Sequence, residues 1–345
     1  MHATDASRAF AARLRLELPL IQAPMAGFQG AAMTPQALRD AVGAMRRAGG
    51  LPVNLNFFCH AQPAPDPARE AAWREALRPY YEELGLSFSA IANGPGRLPF
   101  GEEAADVIEA LRPEVVSFHF GLPPAPLLER VRRAGAQVWS SATTVAEAQW
   151  LAAHGVDAII AQGLEAGGHR AVFLPGGEPF ELGSQLRMHA LLPAILQAVR
   201  VPVIAAGGIV DADGVDAALR LGASAVQLGT AFLLCDEATT SAVHRAALQG
   251  EGGRRTALTN LFSGRPARGI INRLMQDLGP MNGAAPAFPL AGRALAPLRA
   301  KAEAEGHDDF TNLWAGQAAA LAPRLPAGEL TRKLAADADA LCAAK

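Results

Sequence analysis

Short apolar runs alternate with longer amphipathic stretches over the first 234 residues of the chain. The run Ala158-Ile159-Ile160-Ala161 contains no polar position, which is typical of a parallel strand that is buried on both faces. The amphipathic stretches between such runs have the pattern of helices packed on one side. We predict eight strands from this alternation, at residues 18–23, 51–57, 87–91, 114–118, 137–140, 158–161, 201–205 and 225–228.

Strands that alternate with helices predict an α/β fold with a parallel sheet. Nearly every predicted strand ends in Gly, Asn, Gln or His. That repetition favours a TIM-like (β/α)8 barrel, whose functional groups lie at the carboxyl ends of the strands.

The loop after residues 158–161 is the strongest candidate for a site. It begins with Gln162 and reaches Gly167, Gly168 and His169 within a few residues. Glycine lets a backbone approach a flat ligand closely, and histidine is the side chain whose ordinary pKa lies near neutrality. His119, which directly follows the predicted strand at 114–118, is the second candidate for a catalytic histidine.

Two later strands run into glycine-rich turns, Gly207-Gly208 and Gly229-Thr230. Glycines expose backbone N–H groups that can surround an anion, and the Thr230 hydroxyl adds a further donor. Tight turns that need a positive φ would explain one such pair equally well. Two neighbouring turns with the same feature favour a phosphate-bearing cofactor.

The alternation changes at Cys235. We predict helices at 236–249, 309–322 and 330–343, with an irregular stretch at 250–268. The predicted organisation is a barrel formed by residues 1–234 and part of the C-terminal tail, a helical lid at 235–310 over the barrel mouth, and C-terminal helices at 311–345 that pack on the barrel.

Composition narrows the classes of function. Half of the 345 residues are hydrophobic and the net charge is −2, which predicts a globular protein with no attraction to nucleic acid or to an anionic membrane. Cys59, Cys235 and Cys342 lack the spacing of metal ligands, so we expect no metal site and reduced thiols in a cytoplasmic protein. We expect a monomer or a homodimer. Because no nucleophile elbow or Walker loop is present, cofactor chemistry is favoured over covalent catalysis.

Eight segments, in this order, resemble the nitronate monooxygenase family, whose older name is 2-nitropropane dioxygenase. They are IQAPMAG at 21–27, VNLNFFCH at 53–60, VSFHFG at 116–121, AQGLEAGGHR at 161–170, AAGGI at 205–209, QLGTAF at 227–232, FSGRPARG at 262–269 and LWAGQ at 313–317. The resemblance covers most of the chain.

The resemblance implies an FMN enzyme on a TIM-like barrel that oxidises alkyl nitronates, such as propionate 3-nitronate, with O₂ to a carbonyl compound and nitrite. His169 would lie over the flavin beside the substrate and act as the base towards neutral nitroalkanes. His119 matches a second histidine of the family's active site. The cofactor-binding residues implied are Ala23, Pro24, Met25, Asn56, Gln162, Gly167, Gly207, Gly208, Gln227, Gly229 and Thr230.

Two departures from the family pattern concern the barrel and the substrate. Gly30 runs almost directly into Thr34-Pro35, so the family's first helix and second strand are expected to be missing. The Tyr-x-x-x-Tyr-x-x-x-Lys group of some relatives is replaced by the stretch at 288–293, which contains neither Tyr nor Lys.

Two other functions fit the same pattern. One is an FMN-dependent reductase that takes hydride from NAD(P)H to a quinone or an enoyl thioester. The other is a barrel that binds flavin or a phosphorylated metabolite without turnover.

Overall fold

The computed structural model describes residues 4–24, 34–49, 52–92, 94, 96–174 and 182–343, with the side chains of 182 and 336–343 left out. Ten strands are numbered in chain order: β1 (Leu20–Gln22), β2 (Asn54–Phe58), β3 (Val115–His119), β4 (Gln137–Ala142), β5 (Ala158–Gln162), β6 (Gly168–His169), β7 (Val203–Ala206), β8 (Ala225–Leu228), β9 (Thr256–Thr259) and β10 (Ala267–Ile270).

Helices connect the strands. They are α1 (Asp5–Leu14), α2 (Pro35–Gly49), α3 (Pro67–Glu83), α4 (Glu102–Leu111), α5 (Ala125–Arg133), α6 (Val145–Ala153), α7 (Met188–Ala198), α8 (Ala212–Arg220), α9 (Ala242–Gln249), α10 (Arg273–Leu278), α11 (Ala291–Ala304) and α12 (Ala327–Ala343). Side-chain caps start several of them, because the first N–H groups of a helix have no partner within it. Thr34, Thr144 and Asp211 accept from backbone N–H groups at the starts of α2, α6 and α8.

Seven strands form one parallel sheet in the order β1-β8-β7-β5-β4-β3-β2. The other three, β6, β10 and β9, form a small antiparallel sheet. Since the helices alternate with the parallel strands, the carboxyl ends of all seven lie on one side of the fold. The prediction of a parallel α/β fold is confirmed.

The apolar sequence of strand β5 is explained by its packing on both faces. Ile159 is fully buried in the large cluster between the sheet and the helices, whereas Ile160 packs on the other face with Trp139 and Ile204. Phe10 of α1 belongs to that second cluster, and its ring centre lies 5.6 Å from that of Trp139. Both faces of β5 are therefore excluded from water, as in a barrel wall.

One predicted strand, at 87–91, is wrong. Phe88–Ala90 form a short 3-10 turn instead, with the Ser87 hydroxyl accepting from the N–H of Ser89 at 3.2 Å. A serine that bonds the backbone two residues ahead favours a turn over a strand. The described sheet consequently has seven strands rather than eight, with β1 and β2 at its two ends. Residues 25–33, where a helix and a strand were expected to be missing, lie outside the described residues.

The prediction for the tail is wrong in two stretches. The segment 250–268, expected to be irregular, contains β9 and the start of β10. The segment 309–322, expected to be helical, runs beside β10 instead: Ile270 donates to the carbonyl of Leu313 at 2.9 Å and Gly269 forms a bridge with Trp314. The backbone around residues 313–315 is thus paired with a strand instead of forming α-helical bonds, and a short 3-10 turn, Ala319–Leu321, follows it. Helix α11 was not predicted, and the three-part division of the chain stays a prediction.

Substitution of Ile159 by Ala is expected to lower the free energy of unfolding by about 2–5 kcal/mol, because the removed carbons leave a cavity in a core that cannot collapse fully. Leu98→Ala is the matched control, since Leu98 is 65% exposed whereas Ile159 is 0% exposed. Urea unfolding of both variants measures the difference. Equal losses would contradict the assignment of β5 to the barrel core.

Candidate active site

A cleft opens at the carboxyl ends of the parallel strands and contains about 1180 Å³ of empty space, part of it open to solvent. Twelve of the thirteen residues predicted for the site line this one cleft: Ala23, Pro24, Asn56, His119, Gln162, Gly167, His169, Gly207, Gly208, Gln227, Gly229 and Thr230. The thirteenth, Met25, lies outside the described residues. The folded chain therefore brings together residues that are up to 207 positions apart, from Ala23 to Thr230.

The loop that carries His169 is fixed by the next residue, Arg170. The Arg170 guanidinium is buried and donates to the carbonyls of Gly163 at 2.6 Å and Gln162 at 2.9 Å. It also donates to the side chain of Gln185 at 2.9 Å. A guanidinium with its planar set of donors can tie both ends of a loop together, so the loop returns to the end of β5.

Gln162 binds the same loop from inside the cleft. Its amide nitrogen donates to the carbonyl of His169 at 2.8 Å, and its amide oxygen accepts from the N–H of Ala171 at 2.9 Å. Both ends of the amide are used to hold the backbone on either side of Arg170. Gln162 thereby positions His169, and contact between Gln162 and a flavin stays a prediction.

His119 also supports the loop. Its Nε2 lies 3.1 Å from the carbonyl of His169, and because a carbonyl only accepts, Nε2 carries the hydrogen. In the neutral ring Nδ1 then accepts from the Ser141 hydroxyl at 3.3 Å. Both nitrogens are engaged in this arrangement, so His119 acts here through the position of His169.

Aromatic rings enclose His169. Its ring centre lies 5.3 Å from that of Phe288, 5.4 Å from Trp314, 5.7 Å from Phe58 and 6.0 Å from Phe120. Its Nε2 lies 2.9 Å from the hydroxyl of Ser263. The imidazole is consequently held in one orientation by packing and by one hydrogen bond.

Burial destabilises the protonated, positively charged form of both histidines. It lowers the pKa of His119 to about 4, although the bond to the His169 carbonyl acts in the opposite sense. It lowers the pKa of His169 well below its ordinary value, and the neighbouring charges of His119, Arg97 and Arg265 act in the same direction. Both imidazoles are neutral at pH 7 as a result.

The glycine-rich turns leave backbone donors unused. Gly207 and Gly208 have φ of 125° and 74°, a region that residues with a Cβ rarely adopt. Among the described residues, no acceptor bonds the N–H groups of Gly208, Gly229 or Thr230 outside the strand ladders. Gln227, between the two turns in space, has a buried side-chain oxygen with no partner in the described part of the chain. Buried polar groups are normally paired, so this end of the cleft fits a ligand that has both donors and acceptors.

The cleft is closed on one side by the tail. A Cβ on Gly167 would lie 2.6 Å from the backbone of Ala315 and of Gly316, so only glycine permits this approach. The N–H of Gly316 donates to the hydroxyl of Thr230 at 2.9 Å. That bond leaves the hydroxyl hydrogen of Thr230 available as a donor.

Six residues that contact the two histidines were not predicted as site residues. They are Phe58, Phe120, Ser141, Ser263, Phe288 and Trp314. Ser263 and Trp314 lie in the segments FSGRPARG and LWAGQ, so their presence there was the available signal. Nothing in the sequence near Ser141 points to the site. In the part of the chain that the structure describes, no three His, Cys, Asp or Glu side chains are grouped to hold a metal, and no helix is long and apolar enough to cross a membrane.

Comparison with known protein sequences identifies the family of the chain. The model of the family described as nitronate monooxygenase matches residues 24–337. The chain belongs to the nitronate monooxygenase family. It is 40% identical to the nitronate monooxygenase of Pseudomonas aeruginosa, over 94% of this chain and 97% of that protein. It is also 40% identical to that of Paraburkholderia phytofirmans, over 95% and 94% of the two chains.

The fold of this chain superposes on solved structures of other proteins. The nitroalkane oxidase of Streptomyces ansochromogenes superposes with a TM-score of 0.84 at 33% identity, over 98% of this chain and 100% of that chain. FabK of Thermotoga maritima superposes with a TM-score of 0.68 at 22% identity, over 97% and 96%, and shares the fold. The prediction of a TIM-like α/β fold is confirmed. The prediction of an oxidoreductase is also confirmed, because the relatives are nitronate monooxygenases.

The buried histidines predict how stability depends on pH. Their pKa values are depressed in the folded state, so the unfolded chain takes up protons more readily once the pH falls below the ordinary histidine value of 6.5. The free energy of unfolding is expected to fall between pH 7 and pH 4, by about 1.4 kcal/mol per pH unit for each differentially bound proton. His119→Gln should reduce that slope, whereas Leu98→Ala, which changes an exposed residue without a titratable group, should not. Urea unfolding at several pH values measures it, and identical slopes in all three proteins would contradict the burial of a neutral His119.

Proposed function

We propose that the protein binds FMN in the cleft and oxidises alkyl nitronates with O₂ to a carbonyl compound and nitrite. The observation that carries the proposal is the presence, in one cleft, of a neutral, enclosed histidine together with backbone donors and a buried Gln227 oxygen that have no partner among the described residues. Membership of the nitronate monooxygenase family supports the reaction type.

The turns after β7 and β8 fit the phosphate end of FMN. Three N–H groups without an acceptor in the described residues, at Gly208, Gly229 and Thr230, would surround the phosphate, with Gly207 allowing its close approach. The hydrogen of the Thr230 hydroxyl would add a fourth donor. No lysine is needed, because N–H groups that point into one space supply a concentrated positive potential.

The remaining lining fits the ring system. Ala23 and Pro24 directly follow β1, and Asn56 is the central residue of β2. All three line the cleft, so a flat ligand would extend from the phosphate turns across the top of the barrel. The buried oxygen of Gln227 would accept from an N–H or O–H of the cofactor. Gly167 offers its backbone at close range, since it has no Cβ to hold a planar group away.

When bound, FMN would accept electrons from the nitronate and make O₂ a usable oxidant. The residues of this chain would hold the substrate. His169 is neutral and can donate from one ring nitrogen or accept at the other, and the rings of Phe58, Phe288 and Trp314 exclude water around it. In such a dry site, one hydrogen bond to an anionic nitronate is stronger than in water.

A neutral nitroalkane must first lose a C–H proton, and His169 would take it. Burial weakens the base in the free enzyme, but a nitronate anion formed beside the imidazolium would raise the pKa of His169 and stabilise the transferred proton. His119 would serve by fixing the carbonyl of His169, and it reaches the substrate only if its contact to Ser141 is exchanged. Residues 235–310 would act as the cover that keeps bulk water away, with Ser263 and Phe288 as its contacts to His169.

The activity is tested with the purified protein loaded with FMN. We expect a flavin absorbance spectrum and O₂ uptake when propionate 3-nitronate is added. Rapid anaerobic bleaching by NADH, with no reaction with the nitronate, would replace the proposal with an NAD(P)H-dependent reductase. Protein that stays colourless with added FMN would replace it with a binding protein that has no flavin chemistry.

Substitution of His169 by Asn is expected to leave FMN bound and to lower turnover of neutral nitroalkanes about 100-fold or more, since general-base catalysis contributes effects of about that size. Turnover of preformed nitronates should fall much less, because their proton is already gone. His154→Asn, on an exposed helix end, is the matched control. Oxygen uptake with both substrates measures the ratio, and an equal loss on both would show that His169 is not the base.

A further inference from the structure

The hydroxyl of Ser263 is the side-chain partner of His169, and its other bonds decide where the hydrogen of the imidazole lies. Ser263 and His169 are both buried, and the Ser263 oxygen lies 2.9 Å from Nε2 of His169. The same oxygen lies 3.2 Å from the carbonyl oxygen of Arg265 and 3.4 Å from its backbone nitrogen. Three groups thus share one hydroxyl hydrogen and two lone pairs.

Two arrangements of hydrogens are possible, because a carbonyl only accepts and a backbone N–H only donates. In the first, the Ser263 hydroxyl donates to the Arg265 carbonyl and accepts from the Arg265 N–H and from Nε2–H of His169, which makes three bonds. In the second, the hydroxyl donates to a bare Nε2 and accepts only from the Arg265 N–H, which makes two. A buried polar group is more stable with more of its bonds made. The first arrangement is therefore favoured, and it places the hydrogen of the neutral ring on Nε2.

The lone pair of the ring then lies on Nδ1. In the described part of the chain, no hydrogen bond reaches Nδ1 of His169. His169 lines the cleft, whereas Ser263 is not among the described residues that do, so their bond directs Nε2 away from the cleft. Nδ1 is consequently the ring nitrogen available to a ligand, in the form that accepts a proton.

The small antiparallel sheet holds the two side chains at this distance. Ala267 of β10 pairs with His169 of β6, and β9 pairs with the other edge of β10. Ser263 lies in the connection between β9 and β10, next to Gly264. Gly264 has a φ of 92°, and a Cβ there would lie 2.1 Å from the carbonyl oxygen of Pro286, so only glycine permits this turn. Ser263 is thus oriented before a substrate binds, which removes an entropy cost from the reaction.

We propose that Ser263 is a positioning residue for His169, which holds the ring hydrogen on Nε2 and leaves Nδ1 as the base for neutral nitroalkanes. In that step the C–H bond breaks and its electron pair forms the C=N bond of the nitronate. The π pair of one N–O bond moves to its oxygen, and the proton bonds to Nδ1. The Ser263 oxygen then accepts from Nε2–H of a cation, and such a charge-assisted bond is stronger than the one to the neutral ring. The proposal rests on the nitronate oxidation proposed above.

The same hydroxyl permits the opposite arrangement when the substrate arrives as an anion. A preformed nitronate needs a donor on Nδ1 instead of a lone pair. The Ser263 hydroxyl can rotate and donate to Nε2, with loss of its bond to the Arg265 carbonyl, so that the ring hydrogen lies on Nδ1. Without this hydroxyl, Nε2–H would lose its acceptor and His169 would favour the Nδ1–H form. Loss of Ser263 should therefore impair oxidation of the neutral substrate selectively.

The kinetic test compares nitroethane with ethylnitronate, the anion that nitroethane forms when it loses the same proton, in the FMN-loaded wild type and in Ser263→Ala. We expect kcat/KM for nitroethane to fall about 10- to 100-fold, since a hydrogen bond to a charged group contributes an effect of about that size. The loss with ethylnitronate should be much smaller.

Ser89→Ala is the matched control, because it removes a hydroxyl from an exposed turn. It should leave kcat/KM for both substrates unchanged. An equal loss on both substrates in Ser263→Ala, or no loss on nitroethane, would overturn the proposal.

Nitrogen-15 NMR of protein with labelled histidine locates the hydrogen without turnover, since a ring nitrogen that carries hydrogen and one that does not resonate far apart. The signals of His169 are those that disappear in His169→Asn. We expect a protonated Nε2 and a bare Nδ1 in the wild type at pH 7, and a shift of the population towards Nδ1–H in Ser263→Ala.

The same spectrum separates this proposal from that of the activity. If the wild type oxidises neither substrate, the proposed activity fails, and the wild-type spectrum still decides the role of Ser263. It also decides that role if Ser263→Ala does not fold. A His169 ring in the wild type with its hydrogen on Nδ1 would overturn the proposal.

Discussion

The site depends on one interaction, the buried guanidinium of Arg170 against the carbonyls of Gln162 and Gly163. The Gln162 carbonyl ends strand β5, and the Gly163 carbonyl that follows it also accepts from the N–H of Ala166 at 3.1 Å. Carbonyls next to the core need such donors, because an unpaired buried carbonyl is costly. By satisfying them, Arg170 turns the chain back over the barrel, and Gln162 fixes the flanking backbone at His169 and Ala171. His169 is therefore held in a fixed position relative to strand β5, although it lies in the loop that follows this strand.

Desolvation then determines the chemistry available at that position. The rings of Phe58, Phe288 and Trp314 surround His169, and the positive charges of Arg97 and Arg265 add to the effect of burial in lowering its pKa. A neutral imidazole in a positive field favours an anionic substrate over a cationic one.

The predictions from sequence succeeded where the signal was local. The apolar runs identified seven of the strands, because burial on both faces leaves a pattern in a few adjacent residues. They failed at 87–91 and at 309–322. In the first, a serine side chain favoured a turn. In the second, the backbone is paired with β10, which is distant in sequence and leaves no local pattern.

The sequence by itself determined the α/β barrel and the polar residues at the ends of its strands, since strand periodicity and glycine turns follow from local conformational preferences. Only the tertiary structure decided what each of those residues does. It engaged Gln162 and His119 in holding a loop, left the oxygen of Gln227 without a partner in the described residues, and brought Ser263 and Trp314 to His169. Hydrogen-bond partners and desolvation arise between segments far apart in the chain, and for that reason no stretch of sequence records them.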